Sequence, residues 1–293
     1  MKLGYFFGIP ILVNPFFIVL LFSTALIGKL LETVILFIIV IWHESAHVMM
    51  ARYYGLSVIE IELLPFGGVA KIDELIQLEP GVERYIAIVG PLSNGVLLVM
   101  VWLLEPRLLL PTELLKFIIQ ANIGMMLFNV LPALPLDGGR FLRSLLTEKY
   151  GYRQATEKAA SIGQIFGVLL LFIGMASFYY NYNGLIFLII GFFLLISANK
   201  EKAAAVYVLM RYLTRKKQEV RLKRVMLAKE LVATEETSLG EILRQLTPSY
   251  YHIVWVLDIN GTLAGMITEL EMIDAFLEKG IQTRLGELIK YHL

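Results

Sequence analysis

The chain has 293 residues, 57% of them hydrophobic and 17% charged, with a mean hydropathy of +0.70. This composition excludes an ordinary water-soluble globule and requires a membrane as solvent. There is no cysteine, which excludes disulfides, thiolate nucleophiles and cysteine-based metal sites, and a net charge of +1 gives no basis for a polyanionic partner, so no nucleic acid is expected.

Apolar segments close to the roughly 20 residues needed to cross a bilayer lie at about 9–28, 33–54, 84–104, 112–131, 159–180 and 184–199. The expected fold is a polytopic α-helical membrane protein of about six transmembrane helices, followed by a small cytoplasmic α/β domain. The boundaries fall at 1–198 for the membrane domain, 199–224 for a basic linker and 225–293 for the C-terminal domain. Lys2 precedes the first apolar stretch with no small-residue cleavage site after it, so this stretch reads as a retained helix. Lys2, Arg52, Lys71, Arg84, Arg140, Arg143, Lys149, Arg153 and Lys158 fall on one side of the spans, and chiefly Lys29, Arg107 and Lys116 on the other. Basic residues accumulate in cytoplasmic loops, which places both termini in the cytoplasm.

The second span contains His43-Glu44-Ser45-Ala46-His47, an HExxH pattern. Residues four apart on a helix differ by about 40° and 6 Å along the axis, so both imidazoles reach one tetrahedral metal. Glu44 beside them can take the proton of a water whose pKa zinc lowers to about 7. A packed or capping histidine pair is the plainer alternative. Against it, a charged group at the centre of a membrane helix costs about 2.5–3.5 kcal/mol and is usually functional.

After this span, Ser57-Val58-Ile59-Glu60-Ile61-Glu62-Leu63 alternates apolar and acidic, Pro65-Phe66-Gly67-Gly68 turns, and Val69-Ala70-Lys71-Ile72 follows. This predicts a β-hairpin whose edge can hold an extended substrate by strand addition, or a plain surface hairpin. A catalytic zinc site needs a third protein ligand. His252 and His292 belong to the C-terminal domain, so a carboxylate is expected. The fourth span ends in Asn129-Val130-Leu131-Pro132-Ala133-Leu134-Pro135-Leu136-Asp137-Gly138-Gly139. Asp137 lies at the same membrane side as His47, although taken alone it reads more simply as a cap for the next helix; Glu60 and Glu62 are weaker rival ligands.

In the fifth span Gly163 and Gly167 form GxxxG, which reads as helix packing. Asn181, Tyr182 and Asn183 then suit a tight hairpin into the sixth span. The segment from Arg211 to Arg224 carries seven basic residues and one acidic residue and reads as a linker touching anionic headgroups. Beyond it, Thr237-Ser238-Leu239 precedes an amphipathic helix, Tyr251 to Leu257 reads as a strand, Asp258-Ile259-Asn260-Gly261 as a turn, Leu263 to Thr268 as a second strand, and a helix starts near Leu270.

HESAH in one membrane helix with NVLPALPLDGG in a later one resembles the site-2 protease family of intramembrane zinc metalloproteases, and Gly90-Pro91-Leu92-Ser93-Asn94 resembles a further family element. The resemblance is firm over about residues 33–145. It implies His43, His47 and Asp137 as Zn2+ ligands and Glu44 as general base. Asn129, Pro132 and Pro135, with Phe66 of the hairpin turn, would shape the site or hold substrate. The C-terminal domain resembles a single CBS module, which implies ATP or a related adenine nucleotide near Thr268 and Glu271, and pairing with a second copy. Glu271 stands where such modules commonly carry Asp. The whole arrangement resembles the sporulation branch of the family. That branch implies regulated intramembrane proteolysis of a membrane-bound sigma-factor precursor, pro-sigma-K, in the mother-cell membrane surrounding the forespore, with inhibitory membrane proteins as partners. A CBS-regulated transporter or channel with His and Glu in an ion path is the alternative of a different class.

Overall fold

A computed structural model describes the chain apart from residues 1, 7, 65–66, 73–78, 106–109, 180–183, 223–224, 244, 247–249 and 290–293. It forms two units, residues 1–145 with 157–201 and residues 146–156 with 202–293.

The first unit begins with strands rather than a membrane helix. β1 (Lys2–Phe6) and β2 (Ile9–Val13) pair antiparallel, and α1 (Pro15–Leu26) has only 12 residues. At about 1.5 Å per residue α1 is about 18 Å long, short of a hydrocarbon core of about 30 Å. The expected helical span at 9–28 is corrected accordingly. The break falls where local chemistry puts it: Asn14 Oδ1 accepts the Phe16 N–H at 3.1 Å as an N-cap, and Pro15 supplies the first helical residue. On the other side of Asn14, β2 is captured by parallel pairing with β3 (Val58–Leu64), in register Ile11 with Ile61 and Val13 with Leu63. The expected hairpin is present, β3 running antiparallel to β4 (Gly67–Ile72). The sheet order is β1-β2-β3-β4.

The helices that follow are α2 (Leu30–Tyr53), α3 (Pro80–Leu104), α4 (Thr112–Val130), α5 (Asp137–Tyr150), α6 (Tyr152–Tyr179) and α7 (Leu185–Leu222). Among the described residues, Leu30–Tyr53, Pro80–Leu104, Thr112–Val130 and Tyr152–Ser177 are long and apolar enough to cross a membrane. Their outward faces carry exposed apolar side chains such as Val99, Trp102, Ile165 and Phe172, a surface that suits lipid and not water. α7 continues as helix from its apolar start through most of the basic stretch. The Asn181-Tyr182-Asn183 connection lies outside the described residues.

Two features brace this unit. A Cβ at Gly167 would lie 3.0 Å from Gly191 O, and one at Gly191 would lie 2.8 Å from Gly167 O, so α6 and α7 approach backbone to backbone; of the expected GxxxG pair only Gly167 packs on a helix, while a Cβ at Gly163 would meet Leu134 O of the turn before α5. Arg143 of α5, 1% exposed, bonds Glu83 of α3 through Nε at 3.0 Å and again through Nη2. Its Nη1 reaches Glu201 of α7 at 3.0 Å. Breaking so buried a charge cluster by removing one member costs about 3–5 kcal/mol.

In the second unit, β5 (Ala228–Thr234) runs parallel to β6 (Tyr251–Leu257), which runs antiparallel to β7 (Leu263–Thr268). α8 (Leu239–Leu243), α9 (Glu269–Lys279) and α10 (Leu285–Ile289) complete it. Val254, Val256, Ile267, Met272 and Leu285 form its buried core. The two predicted strands and the helix after them are found; β5 and α10 were not foreseen.

Candidate metal centre

α2 presents His43 and His47 on its buried face, and Asp137 opens α5 after the turn through 131–136. All three are buried, at 2%, 3% and 6% exposure. His43 Nε2 is 3.0 Å from His47 Nε2 and 2.9 Å from Asp137 Oδ2, and His47 Nε2 is 3.1 Å from the same oxygen. Protons alone do not account for this triangle. If both imidazoles donated to Asp137, two N–H groups would oppose each other across 3.0 Å. Donors about 2.0–2.1 Å from a tetrahedral ion lie about 3.3–3.4 Å apart, close to all three edges. Among the described residues, these three form the His/Asp/Glu group able to hold a metal ion.

The remaining ring nitrogens support the same reading. His43 Nδ1 lies 2.5 Å from Asn94 Oδ1, and His47 Nδ1 lies 2.7 Å from Ile86 O. Each oxygen accepts, so each Nδ1 carries the proton and each Nε2 keeps its lone pair for a metal. Both orienting groups belong to α3, where Ile86, Gly90 and Asn94 follow at helical spacing. Gly90 permits the approach: a Cβ there would lie 2.7 Å from His43 Nε2 and collide with the His47 imidazole.

Glu44 turns toward β4. Its Oε2 accepts the Ala70 N–H at 3.2 Å, and a Cβ at Gly68 would lie 2.8 Å from its Cγ. In the described structure β4 pairs only with β3, so an N–H from the outer edge of the sheet meets the residue expected to be the base.

The other sequence candidates are placed less directly. Asn129 donates to Met125 O of its own helix at 3.1 Å. Pro132 is exposed and Pro135 half-buried in the turn leading to Asp137. Phe66 lies outside the described residues. Glu62 accepts from Asn14 at 3.3 Å and stands apart from the metal-ligating group, as does Glu60. Thr268 caps α9, its N–H and hydroxyl meeting Glu271 Oε2 at 2.7 and 2.8 Å. Sequence reasoning missed Asn122, whose Oδ1 accepts from Asn94 Nδ2 at 2.5 Å and whose Nδ2 donates to Asn94 O at 2.9 Å. The available signal was a carboxamide inside an apolar span, costly to bury unless it is bonded.

A histidine pair and a carboxylate converging inside an apolar helical bundle, with a second carboxylate alongside, define a membrane-embedded metallohydrolase. The model of peptidase family M50 matches residues 32–110 and 107–174, and that of the CBS domain residues 222–278. A zinc metalloprotease of Methanocaldococcus jannaschii is 30% identical over 273 residues, covering 89% of this chain and 75% of that one. The solved site-2 protease from Methanocaldococcus jannaschii superposes with a TM-score of 0.57 at 30% identity, covering 69% of this chain and 94% of that one. Stage IV sporulation protein FB of Bacillus subtilis is 27% identical over 143 residues, 49% of this chain and 50% of that protein. The chain belongs to peptidase family M50, the site-2 protease family of zinc metalloproteases, and carries a CBS domain.

Proposed function

We propose that this protein is an intramembrane zinc endopeptidase of regulated proteolysis, with His43, His47 and Asp137 as metal ligands and Glu44 as general base. The observation that carries the reading is the convergence of His43 Nε2, His47 Nε2 and Asp137 Oδ2 within 3.1 Å of one another, with both Nδ1 positions already committed. Zinc, when bound, polarises the scissile carbonyl and acidifies water to a pKa of about 7. The chain's own residues do the rest. Glu44 takes the water proton and returns it to the leaving amine. An extended substrate segment adds to the outer edge of β4, next to the Ala70 N–H, which brings its peptide bonds alongside Glu44. Asn129, Pro132 and Pro135, with Phe66, are the residues proposed to shape the site or hold substrate.

The proposed substrate is a membrane-associated sigma-factor precursor, pro-sigma-K, held in check by inhibitory membrane proteins. The support is the likeness to the sporulation protein and the joining of an M50 region to a CBS domain. The proposed division is a membrane domain over 1–198, a basic linker over 199–224 and a regulatory domain over 225–293, the last in the cytoplasm, as the basic residues indicate. The mother-cell membrane around the forespore is the corresponding location. Pairing of two CBS domains is supported by the open sheet face, where Val232, Trp255 and Met266 lie side by side in register with Val232 66% and Met266 45% exposed. ATP near Thr268 would have to displace the Glu271 carboxylate that closes the cap.

Co-expression with pro-sigma-K and with an unrelated membrane-tethered protein tests the proposal, with zinc content measured on the purified enzyme. Shortening of pro-sigma-K alone, by a protein holding one zinc, is expected. Zinc with cleavage of neither substrate removes the sporulation assignment; cleavage without a transition metal removes the metal site.

A further inference from the structure

We infer that Asn122, in the middle of α4, is a positioning residue for the metal centre: it holds the Asn94 carboxamide in the one orientation that leaves the His43 Nε2 lone pair facing the other ligands. The inference rests on the reading of His43 as a metal ligand.

A carboxamide can present either its oxygen or its NH2 to a neighbour. Were Asn94 to turn its NH2 toward His43, Nδ1 would become the acceptor and the ring proton would move to Nε2, where it blocks a metal. Asn94 therefore needs something that sets its sense. Asn122 supplies it through two bonds, one of which has no alternative. The backbone carbonyl of Asn94 can only accept, so the group facing it at 2.9 Å must be the Asn122 NH2. That turns Asn122 Oδ1 toward the Asn94 side chain. The group meeting it at 2.5 Å must then be the Asn94 NH2, which leaves Asn94 Oδ1 for His43 Nδ1. A fixed carbonyl thus determines the tautomer of a ligand through two side chains. Both carboxamides are 0% exposed, so no solvent competes for these bonds. His47 needs no such device, because its orienting acceptor is itself a backbone carbonyl, Ile86 O. α4 consequently places two ligands, His43 through Asn122 and Asn94, and Asp137 through the turn that follows its C-terminus.

The test measures zinc affinity of the full-length protein in detergent by competition with a chromophoric chelator. The proteins compared are wild type, Asn122→Leu, Asn94→Asp, the double variant and His43→Ala. Asn122→Leu is expected to weaken zinc about 10- to 100-fold, as losing an outer partner of a ligand does. Asn94→Asp is expected to rescue it: the two carboxylate oxygens are equivalent, so the double variant binds zinc within a few-fold of Asn94→Asp alone. A role for Asn122 in packing alone predicts no rescue. Unchanged affinity in Asn122→Leu, or failure of the rescue, overturns the inference. Zinc retained by His43→Ala overturns instead the ligand assignment beneath it. Should Asn122→Leu not accumulate, 15N NMR of histidine-labelled, chelator-treated wild-type protein decides, since the chain has four histidines and His43→Ala assigns the relevant signal. A proton on His43 Nδ1 supports the inference, and a proton on Nε2 overturns it.

Discussion

Each unit buries histidine against carboxylate, and the two clusters serve different ends. In the second, His252 and Glu269 are both 0% exposed, and Glu269 Oε2 accepts the His252 backbone N–H at 2.7 Å with the ring Nδ1 3.0 Å away. Donors meet an acceptor there, which latches the start of α9 to β6. In the first, His43, His47 and Asp137 turn three acceptors toward one point while their donors are engaged elsewhere. Residue type and burial are shared. The direction of the lone pairs separates a metal centre from a structural latch.

The largest expected effect comes from a residue that belongs to neither cluster. Glu44→Gln should lower cleavage of a membrane-tethered substrate about 10²- to 10⁴-fold while zinc content stays at wild-type level, because Glu44 is outside the ligand triangle. Near-normal turnover would break the reading of the first unit. Next, Asp137→Ala should reduce zinc affinity beyond the 10- to 100-fold typical of an outer partner, with cleavage falling in step. Chelator competition and product yield on the same preparation check this, and equal zinc affinity would move the third ligand elsewhere. The counterpart, Glu269→Ala, should leave zinc affinity unchanged and destabilise the second unit by about 1–3 kcal/mol through the buried donors it strands. Denaturant unfolding followed by Trp255 fluorescence reads that outcome, and a change in zinc affinity would erase the contrast. The smallest effect is expected at Thr268→Ala. Loss of the α9 cap should cost about 0.5–2 kcal/mol with no change in zinc affinity, and a stability equal to wild type would show that Glu271 closes the cap alone.

Several features were legible in the amino-acid order. The strand from Tyr251 to Leu257 and the strand from Leu263 to Thr268 appear where turn residues and apolar runs place them. The hairpin around Gly67 also forms as its alternation indicates. The segment 9–28 misled, because Ile9 to Val13 is as apolar as a membrane helix and its strand character depends on β3, about fifty residues away. Membership of the M50 family also displaces the transporter alternative, which the spacing of His and Glu did not exclude.

What the sequence determined by itself is local and periodic. His43 and His47 share a helix face because an α-helix repeats every 3.6 residues, and Glu44 must then lie beside them whatever the rest of the chain does. Asn14 with Pro15 starts α1, and Thr268 with Glu271 starts α9, because a cap needs only neighbours within one turn. The tertiary structure decided what depends on partners far along the chain. It brought Asp137, and neither Glu60 nor Glu62, to His43 across 94 positions. It set Asn122 against Asn94 across 28, and the Ala70 N–H against Glu44 across 26. No period encodes such meetings; they follow from which apolar helix faces pack together, and that packing is where the buried polar groups find the partners they require.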